Sequence, residues 1–142
     1  MKIFSPYLVS IIAAWVVAQL LKVVIKLVTS GKLKADLLYS SGGMPSSHSA
    51  SVVALATVIY CVEGGDSAIF GLSVLFAAIV MYDAVMVRRS SGEQGVAIKS
   101  LIKEQKSNMK LGRIAKGHTP IEVLAGAILG LFMGILVFFV TK

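Results

Sequence analysis

Four apolar windows divide this chain of 142 residues, running from about Ile3 to Leu21, Ser47 to Val62, Ala68 to Val87 and Ile121 to Val140. About 20 apolar residues cross a bilayer core as a helix, and lipid offers the backbone no hydrogen-bonding partners. The windows therefore predict an all-α, polytopic membrane protein: about four transmembrane helices in a bundle, forming one domain over residues 1–142. With 56% hydrophobic residues and a mean hydropathy of +0.85, the chain falls outside the range of ordinary soluble domains. The first window follows Lys2 as a signal peptide would, but it is longer than a usual signal core. Lys22 and Lys26 then continue it in helical register, so it reads as a transmembrane helix. Cys61 is the only cysteine, which rules out an internal disulfide and argues against a cysteine-based metal site.

The formal charge is +7, and its distribution carries information. A tight acidic turn, Glu63-Gly64-Gly65-Asp66, separates the second and third windows. All but Lys2 and Lys142 of the 14 basic residues flank or lie within the first and third connections, which share a side if the chain crosses four times. The positive-inside rule puts that side in the cytoplasm of an inner, plasma-membrane protein, with both termini opposite. Within the third connection, VAIKSLIKEQKSNMK at residues 96–110 sets Val96, Ile98, Leu101 and Ile102 against lysines, the pattern of a basic amphipathic helix on an anionic lipid surface. Apolar windows of this length make nucleic acid an improbable partner. Anionic lipids and a phosphorylated substrate suit the charge better.

Several polar residues are not explained by crossing a membrane. GGMPSSHSA, residues 42–50, opens the second window. Ser46 or Ser47 is a good N-cap there, and a helix N-terminus with Gly42 and Gly43 beside it is suited to bind phosphate. His48 lies in the first turn. GHTPIE, residues 117–122, opens the fourth window, with Thr119 as N-cap, Pro120 as first helical residue and Glu122 completing a capping box. That leaves His118 unexplained. Glu122, four residues on, reaches its imidazole if the helix begins slightly early, and a carboxylate on one ring nitrogen makes the other a better base or nucleophile. The chain has only two histidines, and both start helices on the same side.

Asp83 falls inside the third window, where an ionised carboxylate costs at least about 2.5–3.5 kcal/mol. It is expected to pair with Arg88, Arg89, Lys22 or Lys26. Arg88 and Arg89 are expected to end the third helix, where guanidinium groups can clamp phosphate oxygens. Lys22 and Lys26 sit one turn apart at the same end of the first helix, Lys22 deeper and the better phosphate ligand. Gly126, Gly130 and Gly134 form a stripe suited to close helix packing rather than chemistry.

SGGMPSSHSA, VMYDAVMVRRSSGEQG and GHTPIEVLAGAILG resemble the three hallmark blocks of the divergent branch of the phosphatidic acid phosphatase type 2 (PAP2) superfamily, to which vanadium-dependent haloperoxidases are related. The likeness covers nearly the whole chain. It implies metal-independent hydrolysis of a phosphomonoester or pyrophosphate through a phosphohistidine, without a cofactor. His118 with Glu122 is similar to the family's nucleophile and its acid, and Pro45-Ser46-Ser47-His48 to its phosphate-binding block with a general-acid histidine. Thr29 and Ser30 stand seven and eight residues after Lys22, where the wider family has Arg-Pro. Gly112 stands six residues before His118, where it has an arginine, and Arg113 is offset by one.

The resemblance thus implies a lipid phosphate phosphatase. His118, Glu122 and His48 are its catalytic residues, and Lys22, Gly43, Ser46, Ser47, Asp83, Arg88 and Arg89 form the phosphate site. Two alternatives stay open. One is a lipid-phosphate binder or transporter with a degenerate site. The other is a structural membrane protein whose basic face holds anionic lipid. Four helices, where the wider family has six, leave room for a second copy to complete the bundle.

Overall fold

The computed structural model describes residues 5–30, 43–110, 112, 114 and 117–142. Gly42, Arg113 and Lys116, together with Lys32, Lys34 and Asp36 of the first connection, lie outside the described residues. Among the described residues every element is helical: α1 (Pro6–Ser30), α2 (Ser47–Glu63), α3 (Ala68–Tyr82), α4 (Arg88–Glu104) and α5 (Pro120–Thr141). A π-helical turn, Asp83–Val87, joins α3 to α4 without a break.

Among the described residues, three helical stretches are long and apolar enough to cross a membrane: Pro6–Thr29, Ala68–Glu104 and Pro120–Thr141. The fourth, α2, has 17 residues. At 1.5 Å per residue it measures about 25 Å, short of a bilayer core of about 30 Å. It begins at the polar cap of Ser46, whose side chain accepts from Ser49 N, level with the first turn of α5 and with Lys22 of α1, about two turns before α1 ends.

The shorter helix is the centre of the bundle, packing against α1, α3 and α5. Lipid tails are as apolar as leucine, so helices in a membrane associate through close van der Waals fit rather than by expelling water. The interfaces are accordingly made of small residues. A Cβ on Gly126 would overlap the carbonyl oxygen of Ser46, and one on Gly130 that of Ala50; one on Gly134 would stand 2.6 Å from Thr57 Cβ. Ala14 and Ala18 of α1 complete the buried core with Ala50, Ala54 and Met133. Large side chains such as Leu8, Leu20, Leu72, Phe76 and Phe132 face outward, the arrangement expected where lipid is the solvent.

Helices consecutive in the bundle, α1 with α2 and α2 with α3, run antiparallel, whereas α2 and α5 run parallel, Gly126, Gly130 and Gly134 meeting Ser46, Ala50 and Ala54 in the same order. Tyr7 at the start of α1 donates to Glu63 at the end of α2, while Lys22 near the end of α1 reaches Ser47 at the start of α2. The C-terminal parts of α1 and α3 thus meet the N-termini of α2 and α5 at one end of the bundle.

Two expectations need correction. Arg88 and Arg89 do not end the third helix. The π turn carries it through them into α4, giving 37 continuous helical residues, about 55 Å and longer than a bilayer core. The amphipathic segment is therefore the outer part of this helix, Arg88–Glu104, rather than a separate surface helix over residues 96–110. It stops where Lys106 adopts φ 49°, two residues past Glu104. As the register of Lys22 and Lys26 led one to expect, α1 runs on past Leu21, as far as Ser30, with Val23, Val24, Ile25, Leu27 and Val28 prolonging its apolar surface.

Candidate functional site

The two histidine-bearing helix starts touch directly. Ser46 N donates to Glu122 O at 2.9 Å, a bond between the cap of α2 and the first turn of α5. Gly126, one turn further along α5, lets the helices approach closely enough to make it. Ser46 is fully buried, and its hydroxyl also accepts from Ser49 Oγ at 2.9 Å. The first N–H groups of α2 have no intrahelical acceptors and carry the positive end of its dipole.

Glu122 does two jobs from one atom. Its Oε2 accepts from Thr119 N at 3.1 Å, closing the capping box, and bonds His118 Nδ1 at 3.0 Å. The helix begins at Pro120, so no earlier start is needed for the carboxylate to reach the ring. Because that oxygen accepts, Nδ1 carries the proton and Nε2 keeps the free lone pair. His118 is only 5% exposed. Burial holds its pKa below the ordinary histidine value, helped by the positive charges of Lys22 and Arg88, while the Glu122 bond pulls the other way. Near neutral pH the imidazole is therefore uncharged.

The third wall comes from the π turn. Its wider hydrogen-bond ladder appears as Arg88 N–H donating to Asp83 O, five residues back. An adjacent acceptor serves a bond from outside: His118 N donates to Ala84 O at 3.0 Å. Gly117 lies flat on this turn, where a Cβ would strike the backbone of Arg88 and Arg89. A π turn often marks a functional site. Here it fixes the loop that carries His118.

Asp83 pairs with Arg88, its Oδ2 accepting from Arg88 Nε. The guanidinium keeps its two terminal nitrogens for other partners. Arg88, His118, Lys22 and Asp83 are all close enough to act on the charge of His48. Lys22 Nζ lies 3.4 Å from Ser47 Oγ and within electrostatic range of Glu122. The structure thus brings Lys22, Ser46, Ser47, His48, Asp83, Arg88, His118 and Glu122 to one end of the bundle.

Two others stand differently. Arg89 bonds Glu93 at 3.1 Å along α4 and, with Gly92, Val96 and Thr119, lines a cavity of about 400 Å³ on another flank of His118. Gly43 adopts φ 92° in the exposed turn before Pro45, with open space around its Cα. Among the described residues, no three His, Cys, Asp or Glu side chains gather as a metal site would require. Sequence reasoning missed Ala84 and Gly117. Their signals were a small residue just after Asp83 in an apolar run, and a glycine just before His118.

Residues 4–133 match the family described as "Divergent PAP2 family". A protein of Bacillus subtilis (strain 168), "Uncharacterized membrane protein YuiD", is 40% identical over 141 aligned residues, covering 89% of each chain. No solved structure matches.

Proposed function

The chain belongs to the divergent PAP2 family, and from that premise we propose that it is a membrane lipid phosphate phosphatase working at the histidine-bearing end of its bundle. The observation that carries this reading is the buried His118 ring, held through Nδ1 by Glu122 and within electrostatic range of His48, Lys22 and Arg88.

In the proposed reaction, Lys22, Arg88 and the first N–H groups of α2 hold the phosphate and offset charge developing on its equatorial oxygens. His118 Nε2 attacks phosphorus in line as the bond to the leaving oxygen breaks, and His48 donates a proton to that oxygen. Proton transfer of this kind contributes about 10²–10⁴-fold in rate. His48, now neutral, takes a proton from water, whose oxygen displaces His118 from phosphorus and releases inorganic phosphate. In this reading, supported by the concentration of basic residues there, this end lies at the cytoplasmic face of an inner, plasma membrane and α4 meets anionic lipids.

A second reading, a lipid-phosphate binder without turnover, gains support from one observation. Both arginines of the third block engage carboxylates of their own helix, Arg88 with Asp83 and Arg89 with Glu93. One assay separates the two. Purified protein in detergent, with chelator present, is offered phosphatidate, phosphatidylglycerophosphate and an isoprenyl pyrophosphate. The phosphatase reading expects phosphate release that vanadate inhibits and His118→Ala abolishes. Tight binding with no release from any of these, in wild type and variant alike, favours the binder.

A further inference from the structure

A cavity of about 520 Å³ lies at the other end of the bundle, on the flank of α2 between α1 and α3. Tyr7, Leu55, Ile59, Leu72, Phe76 and Glu63 are among its lining residues. Taken alone it is an apolar cleft facing lipid. Its direction gives it meaning, because each of its three walls leads to a residue of the phosphate site.

On α2, positions 48, 52, 55, 59 and 63 fall on one stripe at 3.6 residues per turn, so the wall of Leu55 and Ile59 leads up to His48. On α3, positions 69, 72, 76, 80 and 83 form a similar stripe, ending at Asp83 and the guanidinium it holds. On α1, positions 7, 11, 15, 18 and 22 run from Tyr7 to Lys22. The hydroxyl of Tyr7 bonds Glu63 across the far end, joining α1 to α2 there. By helical rise, the lined stretch from Leu55 to Glu63 covers depths of about 10 to 22 Å from His48.

Resting on the phosphatase reading, we propose that this cleft is the chain-binding subsite for the same lipid phosphate: a single long hydrocarbon chain descends between α1 and α3 from a phosphate held at His48, Lys22 and Arg88. Lipid tails and cleft are equally apolar, so transfer from the bilayer supplies little affinity and selectivity comes from fit. The substrate class is then a lipid phosphate with a chain long enough to reach past Leu55, about 10 Å from the phosphate, and not a short or water-soluble phosphomonoester.

The test uses the full-length protein in detergent and a long-chain lipid phosphate with a photoactivatable diazirine near the chain end. Its control is the same lipid without the phosphate. The expected result is cross-linking to Leu55, Ile59, Leu72 or Phe76 that falls about tenfold when the phosphate is absent or Lys22 is replaced by methionine, a loss equivalent to about 1.4 kcal/mol. Labelling of these residues that is indifferent to the phosphate would mark ordinary annular lipid and overturn the proposal. So would phosphate-dependent labelling elsewhere. Hydrolysis is measured on the same samples. Turnover with labelling outside the cleft sinks the subsite and spares the phosphatase; phosphate-dependent labelling of the cleft without turnover does the reverse.

Discussion

Replacing Gly126 with alanine tests whether the contact between α2 and α5 builds the site. In an unobstructed helix the change favours stability by up to about 1 kcal/mol, because alanine is the better helix former. Here the new Cβ would overlap Ser46 O and stand 3.1 Å from both Ser46 Cβ and Ser49 Cβ. The carbonyl has little freedom to retreat. It accepts from Ala50 N at 3.0 Å, and Ser46 N is tied to Glu122 O at 2.9 Å. Overpacking costs about 1–3 kcal/mol, and a clash with a tethered backbone carbonyl belongs to the upper part of that range, about 2–3, so after the helix-propensity gain the net loss is about 1–2 kcal/mol. For a chain of this size, that lowers the melting temperature in detergent by roughly 3–6 °C. Gly71→Ala is the matched control, since nothing lies within 4 Å of its Cβ position on α3. It should leave the melting temperature unchanged or raise it. Gly126→Ala should also weaken orthovanadate binding, because the two helix starts are forced apart. A Gly126→Ala protein as stable as the control, with undiminished vanadate affinity, would refute this account of how the site is assembled.

Glu122→Gln keeps the side chain's shape and a capping acceptor but removes the charge facing His118. Lipid phosphate hydrolysis should fall about 10²-fold or more while thermal stability changes little; equal rates in the two proteins would count against an orienting role. Asp83→Asn frees the Arg88 guanidinium to swing. The pair is half-exposed and worth at most about 1 kcal/mol, so stability should hold while KM for the lipid phosphate rises several-fold. The pH profile follows from His118. Its pKa is lowered in the fold, so the unfolded chain takes up the proton first as pH falls. Its contribution to stability is therefore present above about 6.5 and declines below it. The acid limb of kcat/KM should accordingly lie below that value, as a titration in detergent would show; a limb above it would contradict the burial-driven shift.

The helices were legible because lipid imposes a simple rule on sequence. Apolar windows of sufficient length become helices, and Ser46, Thr119 and Glu122 announce two of their starts through capping chemistry. The small-residue interface was legible too, from the spacing of Gly126, Gly130 and Gly134. The junction of α3 and α4 was harder to read. Nothing local to Arg88 and Arg89 distinguishes charges that end a helix from charges lying on a continuing one. The π turn is engaged by a tertiary bond, His118 N donating to Ala84 O, between residues far apart in the chain. The split between Arg88 and Arg89 has a similar cause. Adjacent residues on a helix point about 100° apart, so Arg88 meets Asp83 while Arg89 turns to Glu93 and another flank of His118.

The central claim is that both imidazoles meet one bound phosphorus centre, and the chain offers a direct test because it has only two histidines. With histidine selectively labelled with ¹⁵N, the spectrum of the purified protein in detergent contains two imidazoles, assigned by His48→Gln and His118→Gln. Titration with orthovanadate should shift both rings with one common apparent Kd. A response from one ring alone, or two rings titrating with unrelated affinities, would contradict the claim.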